Sequence, residues 1–177
     1  SLDLSALTVR FSWAEIVQAI SCSPNNRCPG PDGFTNEFYK AFKLLLKDDL
    51  LRFFEDFHKT EVDIAGINSA LITLLPKKDT PLEMRDFRPI SLVHSIPKLV
   101  SKVLAGRLKT WIPLLIHSLQ SGFLRSRSII ENFTLAAEMI QYAYKRKLPV
   151  IALKLDFHKA FDSVSWSCLH KVLEARG

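Results

Sequence analysis

This 177-residue chain is poor in cysteine and in long apolar runs, and each scarcity closes off a class of protein. Cysteine occurs three times, at Cys22, Cys28 and Cys168. An odd number without CxxC spacing excludes a disulfide framework and a zinc ribbon, and fits a reducing, intracellular setting, nuclear or cytoplasmic, not a secreted one. Long apolar runs are absent too. The stretch from Ala70 to Pro76 is among the longest, far short of the roughly 20 residues a membrane span needs. The N-terminus has no signal-peptide pattern, so the expectation is a soluble protein with no membrane partner. The chain opens on Ser1 and not Met, which reads as a piece of a longer polypeptide.

What is present is a 47% hydrophobic composition, enough for one globular core. Lys and Arg number 24 against 18 Asp and Glu, a net charge of +6. That bias favours anionic partners such as nucleic acid, though a basic solvated surface accounts for it equally well. No internal repeat, low-complexity tract or linker divides the chain.

Local patterns predict a helix-rich α+β protein with a few short strands. Ser12 and Glu15 form a capping box ahead of Ile16, Val17 and Ile20, predicting a first helix. "SCSPNNRCPGPDG" is turn chemistry. Phe38, Phe42, Leu45, Leu46, Leu50, Phe53, Phe54 and Phe57 recur at helical spacing, predicting one long helix from Thr35 to His58 with a broad buried face.

"NSALITLLPKK" predicts a strand ended by Pro76, with Lys77 and Lys78 just past it. Pro89 forces Arg88 into an extended segment. A helix follows from Ser95, with Pro97 in its first turn and Val100, Val103, Leu104, Leu108, Trp111 and Ile112 on one side. Lys98, Lys102, Arg107 and Lys109 give it a basic exposed face. A further helix is expected over Glu131 to Lys145, then a strand over Val150 to Leu155. The last helix, Trp166 to Ala175, is capped by Ser165, with Leu169, Val172 and Leu173 facing inward.

Asp156 closes the expected strand in "LKLDFHKAFDSVSW". A carboxylate at a strand end stands where open sheets place ligand-binding groups. It is equally a plausible cap for the helix after it. A phosphoaspartyl hydrolase wants a second Asp two residues on, where His158 stands. A receiver-type phosphoacceptor wants an acidic pair near the N-terminus, which is missing. A divalent-metal site for nucleotidyl transfer remains, in which Mg²⁺ takes one or two carboxylates plus substrate phosphates.

At this point "LKLDFHKAFDSVSW" resembles the first catalytic motif of reverse transcriptases of non-LTR (LINE-type) retrotransposons. "SPNNRCPGPDGFTNEFYK" is similar to the N-terminal extension motif of those enzymes, "LITLLPKKD" to their first fingers motif, "DFRPISLVHSIPKLVSKVLAGRLK" to the second and "QSGFLRSRSIIENFTLAAEMI" to the third. These segments follow the family's order through most of the chain.

The resemblance implies the fingers and part of the palm of a right-hand polymerase. Residues 1–60 would be the N-terminal extension and long helix, 61–148 the fingers, and 149–177 the start of the palm. It implies Asp156 as a metal-binding carboxylate, with the backbone carbonyl of Phe157 as an additional ligand for Mg²⁺ or Mn²⁺, and Phe161 as a steric gate against the ribose 2′-hydroxyl. Lys77 and Arg88 would hold the incoming dNTP. Gly30, Gly33, Gln120, Gly122, Phe123 and Arg127 would contact the template. Partners would be an RNA template, a DNA primer and dNTPs, with the rest of a retrotransposon polyprotein.

Two departures qualify it. Ser126 precedes Arg127 where the family has Gly-Arg, and the paired-aspartate motif, Tyr-x-Asp-Asp, does not occur in these 177 residues. One Asp and one carbonyl are too few for a two-metal site. The expectation is therefore a reverse transcriptase fragment, truncated before the catalytic hairpin and inactive by itself. The alternative is a non-catalytic nucleic-acid-binding remnant of a retrotransposon.

Overall fold

A computed structural model describes residues 3–122, 124, 127–155 and 163–176. The elements are α1 (Trp13–Ser21), α2 (Asn36–Phe42), α3 (Lys47–His58), β1 (Ala70–Pro76), β2 (Phe87–Val93), α4 (Ser95–Leu115), α5 (Ile129–Lys145) and α6 (Trp166–Arg176). The protein is helix-rich with one antiparallel two-stranded sheet, an α+β composition. It divides into two compact units, residues 5–108 and residues 1–4 with 109–177.

In residues 5–108, α1 begins as its sequence dictates. Ser12 accepts from the Glu15 N–H while Glu15 accepts from the Ser12 N–H, satisfying two otherwise orphaned donors. The helix buries Ile16, Ala19 and Ile20 against Leu50 and Phe54 of α3 and Leu99, Val100 and Val103 of α4. Phe11 meets Phe54 edge to face at 5.2 Å.

The long helix expected from Thr35 to His58 is two helices. Three consecutive leucines, Leu44 to Leu46, span about 200° of a helical wheel, more than one buried face accepts. Leu46 packs against the core, while Leu44 and Leu45 stay exposed. Leu45 therefore does not belong to the buried face. Leu46 N–H still donates to Phe42 C=O, and Leu50 N–H to Leu46 C=O, carrying the chain through the break.

Arg107 is the second correction. Its side chain, expected on the exposed face of α4, is only 8% accessible. The guanidinium forks onto Glu15, with Nε to Oε1 at 2.6 Å and Nη2 to Oε2 at 3.0 Å. It also donates to the carbonyls of Leu7, Val9 and Arg10 and lies 4.2 Å over the Phe11 ring. Planar, bidentate geometry is what guanidinium offers and ammonium does not. Here it ties the chain's start to α4. Leu104 and Leu108, expected on the packed side of α4, are each 41% exposed.

β1 and β2 pair antiparallel from Ala70 opposite Val93 to Pro76 opposite Phe87. Every residue of β1 is exposed. Pro89 stands opposite Leu74, and a proline is tolerated there because both strands are edge strands.

In residues 109–177 the helices form where the periodicity places them, but the faces differ. The extended 150–155 segment lies in no sheet, since no described strand runs beside it to complete a ladder. Val150, Ile151, Leu153 and Leu155 are exposed, as are Leu169, Val172 and Leu173 of α6, which the sequence reading turned inward. Nothing described packs over that side of α6, so its apolar residues stay open. Ser165 does cap α6, accepting from the Cys168 N–H at 3.4 Å.

Candidate nucleotide and nucleic-acid interface

The hairpin register settles where two of the expected ligand-binding cations stand. Arg88 is opposite Leu75 in the ladder, and Lys77 N–H donates to Asp86 C=O at 2.7 Å, extending the pairing one step. Side chains alternate faces along a strand, so Leu75, Lys77 and Arg88 share one face at one end of the ribbon. Arg88 is exposed, and among the described residues its guanidinium has no hydrogen-bond or ion-pair partner. The Lys77 ammonium donates to the Arg85 carbonyl at 2.6 Å.

The connection between the strands is organised by Asp86, which the sequence reading passed over. Its carboxylate accepts from the Lys78 ammonium at 2.9 Å and from the Leu82 and Glu83 amides. The Lys78 hydrogen bond, followed by those two amides, holds its carboxyl below the usual range. An Asp four residues after a Leu and three after a Glu is the only available signal, and local turn chemistry of this kind is hard to separate from a solvated surface acid.

The "PGPDG" loop has a tangible packing role. Gly30 is buried, and a Cβ there would come within 2.1 Å of the Val93 carbonyl oxygen, so only glycine lets the loop lie against the β2–α4 junction. Gly33, at φ +71°, has open space around it, and its N–H closes a turn onto Gly30 C=O at 3.0 Å.

Asp32, between them, was not singled out from the sequence. Its carboxylate accepts from the Ser95 N–H at 2.5 Å, capping α4 with negative charge at the helix's positive end. It also lies 3.7 Å from His94 Nδ1, and His94 Nε2 meets Ser69 Oγ at 3.1 Å. Ser95 returns a bond to Phe34 C=O at 2.9 Å. The loop is thus a clasp for the start of α4.

Arg127 is also turned to a structural task. Its guanidinium donates to the carbonyls of His117 at 2.6 Å and Gln120 at 2.7 Å, with longer contacts to Pro113 and Ile116. These include orphan acceptors at the C-terminal end of α4, where a cation is favoured. Gln120 is exposed, and Gly122 has only an ordinary 3.7 Å neighbour at its notional Cβ, the Gln120 side chain. Asp156, Phe157, Phe161 and Phe123 lie outside the described residues, as does Ser126. Among the described residues no group of three His, Cys, Asp or Glu forms a metal-binding cluster. The hard oxygens of Asp156 and the Phe157 carbonyl are nevertheless the donor type that Mg²⁺ takes.

Residues 75–177 match the family described as Reverse transcriptase (RNA-dependent DNA polymerase), well over half of the chain. The chain belongs to the reverse transcriptase family. The match begins at Leu75 and takes in both hairpin cations. The uncharacterized 149 kDa protein of transposon TX1 from Xenopus laevis is 35% identical over 162 residues, 91% of this chain and 12% of that protein. The Pol polyprotein of type-1 retrotransposable element R2 from Popillia japonica is 29% identical over 150 residues, 84% of this chain and 20% of its own length. The RNA-directed DNA polymerase of mobile element jockey from Drosophila melanogaster is 26% identical over 171 residues, 93% and 18% respectively. This reverse transcriptase segment therefore spans between 12% and 20% of these relatives' lengths, and its relatives are non-LTR retrotransposon proteins. Among the described residues, no helix is long and apolar enough to cross a membrane.

Proposed function

We propose that this chain supplies the fingers and first palm segment of a right-hand polymerase that copies an RNA template into DNA from a primer. The reading retains the division into an N-terminal extension with the α2–α3 region (1–60), fingers (61–148) and start of the palm (149–177). The observation that carries it is the hairpin register, which brings Lys77 and Arg88 to one face at one end of an exposed ribbon. Two cations so placed suit a triphosphate. A guanidinium with free donors binds phosphate oxygens in a fork, and an ammonium adds a point charge as negative charge builds on the departing pyrophosphate.

In this reading Asp156 and the Phe157 carbonyl hold Mg²⁺ or Mn²⁺, and a metal bound there supplies Lewis-acid stabilisation of the developing oxyanions. Phe161 excludes the ribose 2′-hydroxyl by shape, selecting dNTPs. Lys77 exchanges its bond to the Arg85 carbonyl for a phosphate oxygen. Gln120, Gly122, Phe123 and Arg127 border the template, Arg127 by holding the end of α4, and Gly30 and Gly33 by shaping the loop. The partners are an RNA template, a DNA primer, dNTPs and the remainder of a retrotransposon polyprotein.

The test is primer extension on an RNA template with the complete polypeptide that carries these residues. Losing a charge-assisted hydrogen bond of about 1.5–3 kcal/mol lowers kcat/KM for dNTP roughly 10- to 150-fold, the outcome expected for Arg88→Ala and for Lys77→Ala. Asp156→Asn should abolish incorporation. Undiminished kcat/KM in both cation variants overturns the dNTP assignment. Salt-sensitive RNA binding without any incorporation favours a nucleic-acid-binding remnant.

A further inference from the structure

The two edges of the β1–β2 ribbon are finished differently. Along an antiparallel pair, every second residue turns its N–H and C=O away from the partner strand. Because Lys77 N–H meets Asp86 C=O, the mutually bonded pairs are Leu75 with Arg88, Thr73 with Ile90 and Leu71 with Leu92. Ala70, Ile72 and Leu74 of β1 therefore point their backbone groups outward, as do Phe87, Pro89, Ser91 and Val93 on the far side of β2. The β2 edge is closed. Phe87 N–H is taken by Met84 C=O, Pro89 has no N–H to offer, and the Gly30 loop lies against the Val93 carbonyl.

The β1 edge is open. Among the described residues, no donor or acceptor meets the outward groups of Ala70, Ile72 and Leu74. A charge, a bulge or a proline usually blunts such an edge, and none occurs before Pro76 at its end. The strand is apolar on both faces, with Ile72 69% and Leu71 57% exposed, so it is a template for one more strand. A second β1 fits it. It carries the same free groups, and since Ala70 to Pro76 hold no charge, pairing sets no like charges against each other. β2 of another copy is ruled out by its closed edge. Antiparallel overlap along the whole strand puts Ala70 opposite Pro76 and Ile72 opposite Leu74, whose outward groups then answer each other, and sets Thr73 opposite its own counterpart on a two-fold axis.

We propose that β1 is a homodimer seam, at which two copies of this chain join edge to edge, antiparallel about Thr73, into one four-stranded sheet. The seam requires neither metal nor nucleic acid and does not depend on the polymerase reading. Two short edges bury less than the roughly 1,600 Å² of a standard interface. The dimer is accordingly weak, with an expected dissociation constant of about 10–100 µM.

Sedimentation equilibrium of the 177-residue chain in reducing buffer measures that constant. Thr73→Lys, at an exposed position, sets two ammonium groups against each other across the axis and should raise it about fivefold or more. Ser91→Lys, the same charge on exposed β2, should leave it unchanged, as should Ile140→Lys on the open apolar face of α5. A cross-link reads the register directly. With Cys22, Cys28 and Cys168 replaced by Ser, Thr73→Cys should oxidise to a covalent dimer, because residues facing each other in a non-hydrogen-bonded pair stand about 4.5 Å apart, within disulfide reach. Leu71→Cys should not, since its counterpart lies four residues' rise away, roughly 14 Å.

A chain that stays monomeric at about 1 mM overturns the proposal, because the edge then awaits a different strand. Dimers that survive Thr73→Lys and disappear in Ile140→Lys overturn it too, placing the contact on α5. Equal weakening by Ser91→Lys would mean that added charge, and not the seam, controls association. Cross-linking of Leu71→Cys as readily as Thr73→Cys would reveal unregistered aggregation and sink the proposal. The covalent dimer is a gained signal, so loss of folding does not imitate it.

Discussion

Residues 5–108 and 109–177 have similar apolar sequence patterns and fare differently. The first unit closes eight apolar residues from three helices into one core and locks its first turns to α4 through Arg107 and Glu15. In the second, Ala143 is the one buried apolar residue among those described. Its α5 and the 148–153 segment border an open apolar groove of about 740 Å³, with Leu135, Met139, Ile140, Val150 and Leu153 on its walls. Amphipathic periodicity thus marks which face can be buried, whereas burial depends on a second apolar surface arriving to cover it.

The sharpest way to break this comparison is a matched pair of truncations. Phe54→Ala removes a ring only 1% exposed and should cost about 3–5 kcal/mol. Ile140→Ala, at 51% exposure, should fall within about 0.5 kcal/mol of the parent. Urea denaturation followed by far-UV circular dichroism measures both. Equal costs would mean that the second unit has a core of its own.

An intermediate effect concerns the Glu15–Arg107 pair. The Arg107 hydrogen bonds, opposed by some burial and aided by the Ser12 N–H and hydroxyl, lower the Glu15 carboxyl from 4.5 to about 2. A folded value below the unfolded one stabilises the protein above about pH 4.5, and the contribution fades as pH drops toward 2. Because Glu15 is 32% exposed, solvent screening trims it to about 1–2 kcal/mol. Glu15→Gln should therefore be less stable than the parent at pH 7 and converge with it only as pH falls through about 2. A constant gap across that range in denaturant midpoints would show that the charge contributes nothing.

The smallest expected change is Arg127→Ala in the second unit. Losing this cap should cost about 1 kcal/mol, seen as about fivefold faster amide exchange over residues 114–117. If exchange is unaltered and RNA affinity falls instead, the guanidinium serves the template and not the helix end.

Much of the architecture was legible because it rests on neighbours in sequence. The Ser12 capping box, the β1 and β2 segments and the placement of α5 and α6 follow from residues within a turn or two of one another. The misjudged features depend on distance. Local sequence places Arg107 in solvent because its partner Glu15 is 92 positions away, and it carries no signal for Asp32 because the amide it caps is 63 positions on. The Leu44–Leu46 run concealed a helix break, since periodicity alone does not reveal which of three adjacent leucines the core will admit. Of the candidate site, Lys77 and Arg88 stand out in the sequence as cations at strand positions, but their shared face is a property of strand register. The role of Asp86 in shaping the turn beneath them is local, yet no spacing rule singled it out.

The β1–β2 ribbon has a further consequence. Neither face of β1 is sheltered, so no core fixes which residue of one strand stands across from which residue of the other. A one-residue deletion in β1 would turn Lys77 away from Arg88 while leaving the unit's melting temperature almost untouched. Such a lesion would be silent in any survey of thermal stability and ruinous to the grip on phosphate proposed for Lys77 and Arg88.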